Sequence, residues 1–304
     1  MSVNHSPAGG DPLPPLDPVA AEHVSAKMSR QGPPWLHNEV AQRMAERLPL
    51  IRQAVNHWVN WEPLLGGLAS QTLLEQRYPH AQSTIVQTWE ADLHWAAQAL
   101  KLPWWRRWFA HDRRFAMQVG EPADMLWSNM GLHLQAQPQR WMQQWANSLN
   151  EQGFVMFSCL GPDSLLELRQ VHADMGWDAP HHAFTDMHDW GDMLLQAGFA
   201  SPIMDMERIT LTYATPEEVL KDLRSLGRNL SPQRFAGLRG RAWLSQMHQA
   251  LSQHLVSAAH GGRLALTFEV VYGHAFKAQR RTPVKPQTEV SLQDMKAMLS
   301  GSTR

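Results

Sequence analysis

Residues 62–68 read Glu-Pro-Leu-Leu-Gly-Gly-Leu, and Glu90 lies 22 residues beyond Leu68. Glycines in a strand-to-helix turn let backbone approach a ligand and adopt positive φ. Gly66 and Gly67 are therefore either such an approach point or an ordinary turn. An acid ~20 residues after such a loop accepts hydrogen bonds from ribose hydroxyls in nucleotide-type sites. Glu90 is either that acid or a solvated carboxylate at a strand end. Glu62 either supports the loop or is a helix-start acid near a positive dipole end. His133 stands between Leu132 and Leu134, so it is a polar contact to a substrate or, more often for such a residue, a packing group. Arg224 and Arg228 carry the planar donor fork that recognises carboxylates; a surface arginine is the competing reading. His172, Asp174, Asp178, His181, His182, Asp186, His188 and Asp189 crowd one stretch. Their spacing matches neither a zincin helix nor a facial triad, and a polar loop leading into a capped helix accounts for them. Trp104, Trp105, Arg106, Arg107 and Trp108 form a lid, a partner site or a core-edge cluster, packing first.

The elements that must position these groups follow from the rest of the chain. Its 304 residues are 43% hydrophobic and 18% charged, with formal net charge −1. That supplies a sizeable core and excludes a disordered chain. It also lacks the basic footprint of a nucleic-acid binder. A single cysteine, Cys159, excludes an internal disulfide framework and any multi-cysteine site. No run reaches the ~18 apolar residues of a membrane span, and the first residues lack a signal-peptide pattern, so the expected location is the cytoplasm. Residues 1–18 are rich in Pro, Gly, Ser and Asp. The expected organisation is a loose tail over 1–32, one domain over 33–278 and a second loose tail over 279–304.

Within the domain, strand-like runs at 56–62, 83–89, 113–119, 124–128, 153–160, 203–213 and 263–276 alternate with helical patterns. The last helices are expected over 216–226 and 241–259. Such alternation builds βαβ units. The expected fold is α/β, a Rossmann-like, seven-stranded, mostly parallel sheet with helices on both faces, with 203–213 and 263–276 at its antiparallel edge.

Several runs carry a resemblance. These are Phe157-Ser158-Cys159-Leu160-Gly161-Pro162-Asp163-Ser164-Leu165 with Glu167-Leu168-Arg169, the stretch 185–192 (TDMHDWGD), 202–207 (PIMDME), 222–227 (DLRSLG) and 267–274 (TFEVVYGH). Over roughly residues 33–277 the chain resembles the malonyl-acyl-carrier-protein O-methyltransferases of biotin synthesis. The resemblance implies a class I methyltransferase fold, S-adenosyl-L-methionine as methyl donor, and a malonyl thioester on an acyl carrier protein as acceptor. It makes Glu62 the acid of the cofactor loop, Gly66 its middle glycine, and Ser128 and Asn129 part of the cleft floor. Arg224, in the DLRSLG run, becomes the candidate for the malonyl carboxylate, with Arg228, Arg234, Arg239 and Arg241 a basic face for an acidic carrier. A carboxylate is already ionised at pH 7, so the implied reaction needs no general base and rests on proximity. The chain departs from the pattern where Leu64 and Leu68 replace the outer glycines. That departure predicts weakened affinity for the cofactor, and it keeps open a second reading, a methyltransferase-like binding or regulatory protein.

Overall fold

The computed structural model describes residues 13–32, 34–101 and 112–279; the block 104–108 and the expected C-terminal tail beyond 279 lie outside them. The parallel half of the sheet is formed by β1 (His57–Trp61), β2 (Gln82–Val86), β3 (Arg113–Ala116), β4 (Ala123–Ser128) and β5 (Leu149–Leu160). Two long strands, β6 (Phe199–Tyr213) and β8 (Arg263–Lys277), complete it, with a two-residue β7 (Val256–Ser257). The strand order is β3-β2-β1-β4-β5-β8-β6. Strands β3 through β5 pair in parallel, while β8 runs antiparallel to both β5 and β6. The pair 203–213 and 263–276 forms the expected antiparallel edge. Leu264 pairs with both Tyr213 and Val256, so β7 lies on the side of β8 away from β6.

Alternation along the central strands buries both faces, as strands covered on both sides require. On one face Trp58, Met125, Trp127, Phe154 and Met156 join α2 (Trp35–Ala45), α7 (Leu166–Asp174) and α10 (Arg241–His254). On the other, Val59, Leu126, Val155, Phe157 and Cys159 meet α6 (Pro138–Ser148) and α8 (Met187–Gln196). Cys159 is fully buried, which pushes its thiol pKa well above the usual range. No helix among the described residues is long and apolar enough to cross a membrane.

Three expectations need correction. Residues 18–31, expected inside a loose tail, form helix α1 (Pro18–Gln31). Asp17 caps it by accepting from the N–H groups of Val19 and Ala20, and Pro18 starts it, a favoured helix opening. The helix expected to reach Ala259 ends at His254, because Val256 and Ser257 pair with β8. The strand expected over 83–89 ends at Val86. Glu90 and Asp92 instead occupy the first turn of α5 (Glu90–Ala99), where the helix dipole favours acids.

Candidate active site

The carboxyl ends of the parallel strands are brought level by register. Trp61 pairs with Val86 on one side and Ser128 on the other, and Ser128 pairs with Phe157. Glu62, Gln87, Asn129 and Ser158 therefore emerge along one edge, where ligands sit in open α/β sheets.

The turn after β1 is closed on itself. Glu62 adopts the left-handed region (φ 52°, ψ 49°), and residues Pro63–Gly66 form a single helical turn, α3. The N–H groups of Leu65 and Gly66 donate to the Glu62 carbonyl, and that of Gly67 donates to the Pro63 carbonyl. Leu64 N–H donates to the Gln87 side-chain oxygen at 3.1 Å, while the Gln87 amide nitrogen donates to Glu62 Oε2 at 2.7 Å. Thr88 donates to Glu62 Oε1 through both its N–H, at 2.7 Å, and its hydroxyl. Pro63 has no N–H. Leu64 turns inward and packs with Ile85 and Ala96; Leu68 and Leu100 border the same cluster. Burial of Glu62 outweighs its Thr88 hydrogen bonds and raises its carboxyl pKa to about 7.

Gly66 is pressed against Asn129: a Cβ there would collide with the Asn129 carbonyl oxygen. The Asn129 side chain donates to the carbonyls of His37, at 2.8 Å, and Gly66, and accepts from Ser158 Oγ at 2.7 Å. Ser128 is buried beside it. Gly67, at φ 108°, ends the turn. Glu90, by contrast, is exposed at the start of α5. The residue that leaves the end of β2 toward Glu62 is Gln87, marked in the sequence only by its place after the apolar run Ile85-Val86.

Helix α1 covers this turn. Leu65 is buried with Ala21 and Met28 of α1 and with Leu134 and Leu230, and α1 also lies against α5. An extended cofactor laid along residues 63–67 would need free N–H donors and room beside Gly66. The donors are spent within the chain and the room is filled, so these residues do not fit S-adenosylmethionine in this conformation.

A buried histidine group adjoins the turn. His37 Nδ1 donates to the Leu65 carbonyl at 3.0 Å. His133 Nδ1 accepts from Leu160 N–H at 3.4 Å, and His182 Nε2 donates to the His133 carbonyl at 3.3 Å. Burial drives the pKa of His37 and of His182 down to about 4, and that of His133 well below its usual value. His37 and His182 carried no sequence signal for this role. His133 borders a cavity of about 20 Å³ with Phe184, Thr185 and Trp190, space for about one water.

Arg224 is exposed in the last turn of α9 (Pro216–Ser225), and its carbonyl accepts from Arg228 Nη1. Neither arginine has an acidic partner among the described residues, whereas Arg234 and Arg239 are paired with Asp17 and Asp178. The backbone just beyond, at Gly227, faces Met28 and Val24 of α1 and Leu134.

No protein-family model matches the chain. A malonyl-acyl-carrier-protein O-methyltransferase of Laribacter hongkongensis is 38% identical over 257 residues, covering 81% of this chain and 84% of the relative. The enzyme of the same name from Nitrosospira multiformis is 37% identical over 276 residues, covering 83% and 86%. Among solved structures, the YcgJ protein of Bacillus subtilis aligns with a TM-score of 0.50 at 10% identity, over 78% of this chain and 99% of that one, a likeness of fold alone. The strand order and flanking helices are those of the class I methyltransferase fold. With identity at this level running through more than four-fifths of both partners, the chain belongs to the malonyl-acyl-carrier-protein O-methyltransferase family.

Proposed function

We propose that this protein methylates the free carboxylate of a malonyl group carried on acyl carrier protein, with S-adenosylmethionine as donor, in the cytoplasm. The observation that carries the reading is the extent of the match, which runs through both halves of the sheet. Arg224 and Arg228 support the acceptor side. Both are charged and free of acidic partners among the described residues, as recognition of a carboxylate and of an acidic carrier requires. His133 stays neutral at pH 7 because its imidazole is buried, so its part is to hold the end of β5 through Leu160. The test is mass spectrometry of malonyl carrier protein incubated with the protein and S-adenosylmethionine. A mass gain of one methylene on the malonyl group is expected; an unchanged carrier at high cofactor concentration overturns the reading.

One observation favours a second reading. With the turn 62–67 closed on its own atoms, the same surface would bind malonyl carrier protein without modifying it. Carrier binding by calorimetry, combined with no methyl ester, selects that alternative.

A further inference from the structure

We infer that α1 is a latch over the donor cleft: docked, it holds the turn 63–67 shut, and S-adenosylmethionine enters only when α1 has swung away. The inference rests on the reading above for the identity of the cofactor alone.

What shuts the cleft is held from outside. Leu65, in the middle of the closed turn, is buried under Ala21 and Met28. The turn itself is four residues long, too short to be stable by its own hydrogen bonds. Without α1 over Leu65, the turn loses its cover and is left with the bonds to His37, Asn129 and Gln87 and the packing of Leu64.

The latch is lightly fastened. Only Ala21, Met28 and Ser29 of the fourteen residues of α1 are buried, and Val19 is 60% exposed. At one end Arg234 donates to Asp17 at 2.8 Å and Asp17 N–H donates to the Leu230 carbonyl at 2.9 Å. At the other, Ser29 hydrogen-bonds Asp92. Directly after α1, Gly32 sits at φ 80° with no other atoms near its Cα substituent position, a geometry suited to a hinge. Elements with so little buried contact open at low free energy. The fastening also has a direction. Asp17 is held by the arginine-bearing segment after α9, so an acidic partner there competes with Asp17 for Arg234.

A ligand that binds only the open form has its affinity reduced by the fraction open. Weakening the latch must therefore raise cofactor affinity without changing any residue of the turn. The experiment is calorimetric titration with S-adenosylhomocysteine of the full chain and of the double variant Asp17→Asn, Met28→Ala. Asparagine keeps the helix cap and removes the charge. The variant should bind about tenfold more tightly, and the ligand should speed proteolytic cleavage within α1 of the unmodified protein. Arg234→Gln, outside α1, should shift affinity the same way by less, and it serves if the double variant misfolds. Equal affinities, including no binding by any form, or protection of α1 by the ligand, overturn the latch. Methyl ester formation without any gain in the variants sinks the latch alone. A gain without ester sinks the methylation reading alone.

Discussion

Two strand-to-helix turns leave the same edge of the sheet and are closed by different means. The turn after β1 satisfies its N–H groups with its own carbonyls and with Gln87. The turn after β5, residues 161–165, is stitched to β8. There Gly161 N–H donates to the Glu269 carbonyl at 2.9 Å, and Leu165 N–H donates to the Thr267 carbonyl at 2.7 Å. Ser164 Oγ donates to the Glu269 carbonyl at 3.0 Å and accepts from Glu269 N–H at 3.1 Å. Each turn also spends one left-handed residue, Glu62 at φ 52° and Leu165 at φ 58°. Where a neighbouring strand presses on the turn, residue types are dictated by that strand, and a Cβ at Gly161 would strike the Glu269 side chain. Where the neighbour would be a ligand, the chain has substituted leucines and filled the space. The motifs by which the family is recognised, around 161–165 and 267–269, are thus in large part the seam between β5 and β8.

The seam and the closed turn meet at the histidine group, and acid attacks both at once. The pKa values of His37 and His182, held near 4 against a usual 6.5, make the folded state bind fewer protons than the unfolded one. The contribution of these two histidines to stability is therefore intact above about pH 6.5 and lost as pH falls toward 4. The loss is roughly 7 kcal/mol for the two together, read by denaturant titration across that range. His37→Gln, which still donates to Leu65, should flatten part of the slope; an unchanged slope means the burial argument is wrong.

Restoring glycine tests whether the leucines are core or obstruction. Leu64→Gly with Leu68→Gly should cost about 3–5 kcal/mol, because it empties the site beside Ile85 and Ala96 and loosens a helical turn. It should also strengthen S-adenosylhomocysteine binding. A variant as stable as the parent would show that Leu64 does not pack as described.

Glu62→Gln separates charge from shape in the same turn. With the Glu62 pKa raised to about 7 from 4.5, the wild type is favoured below about pH 4.5 and loses that contribution as pH rises through 7. The amide should remove this fall, roughly 3 kcal/mol, and melt higher than the parent in mild alkali. In the other turn, Ser164→Ala leaves the Glu269 N–H without its buried acceptor and should cost about 1–3 kcal/mol. Thermal melting checks it, and cofactor affinity should not move.

Much of the scaffold is legible in the chain. The runs expected at 56–62 and 124–128 end within a residue of Trp61 and Ser128, which the register aligns, while the run at 83–89 overshoots Val86. Pro138 and Asp186 announce α6 and α8. The signal for α1, Asp17 before Pro18, is also present, but the surrounding Pro-Gly-Ser composition masks it. Glu90 is misplaced because Gln87-Thr88-Trp89 has strand composition, while acids at 90 and 92 start a helix. The closed state of the turn was not legible, since the partner that covers Leu65 lies 37 residues upstream at Met28. Local patterns carry no information about such a contact.

Cys159 carries one more consequence. It is the only sulfhydryl in the sequence, it sits fully buried in β5, and burial holds it in the protonated form. Nucleophilic attack, metal capture and oxidation all proceed through an accessible thiolate. The folded protein therefore offers peroxide, glutathione and alkylating reagents no reactive thiol. Its response to oxidative stress passes through its sixteen methionines, Met28 on the latch among them.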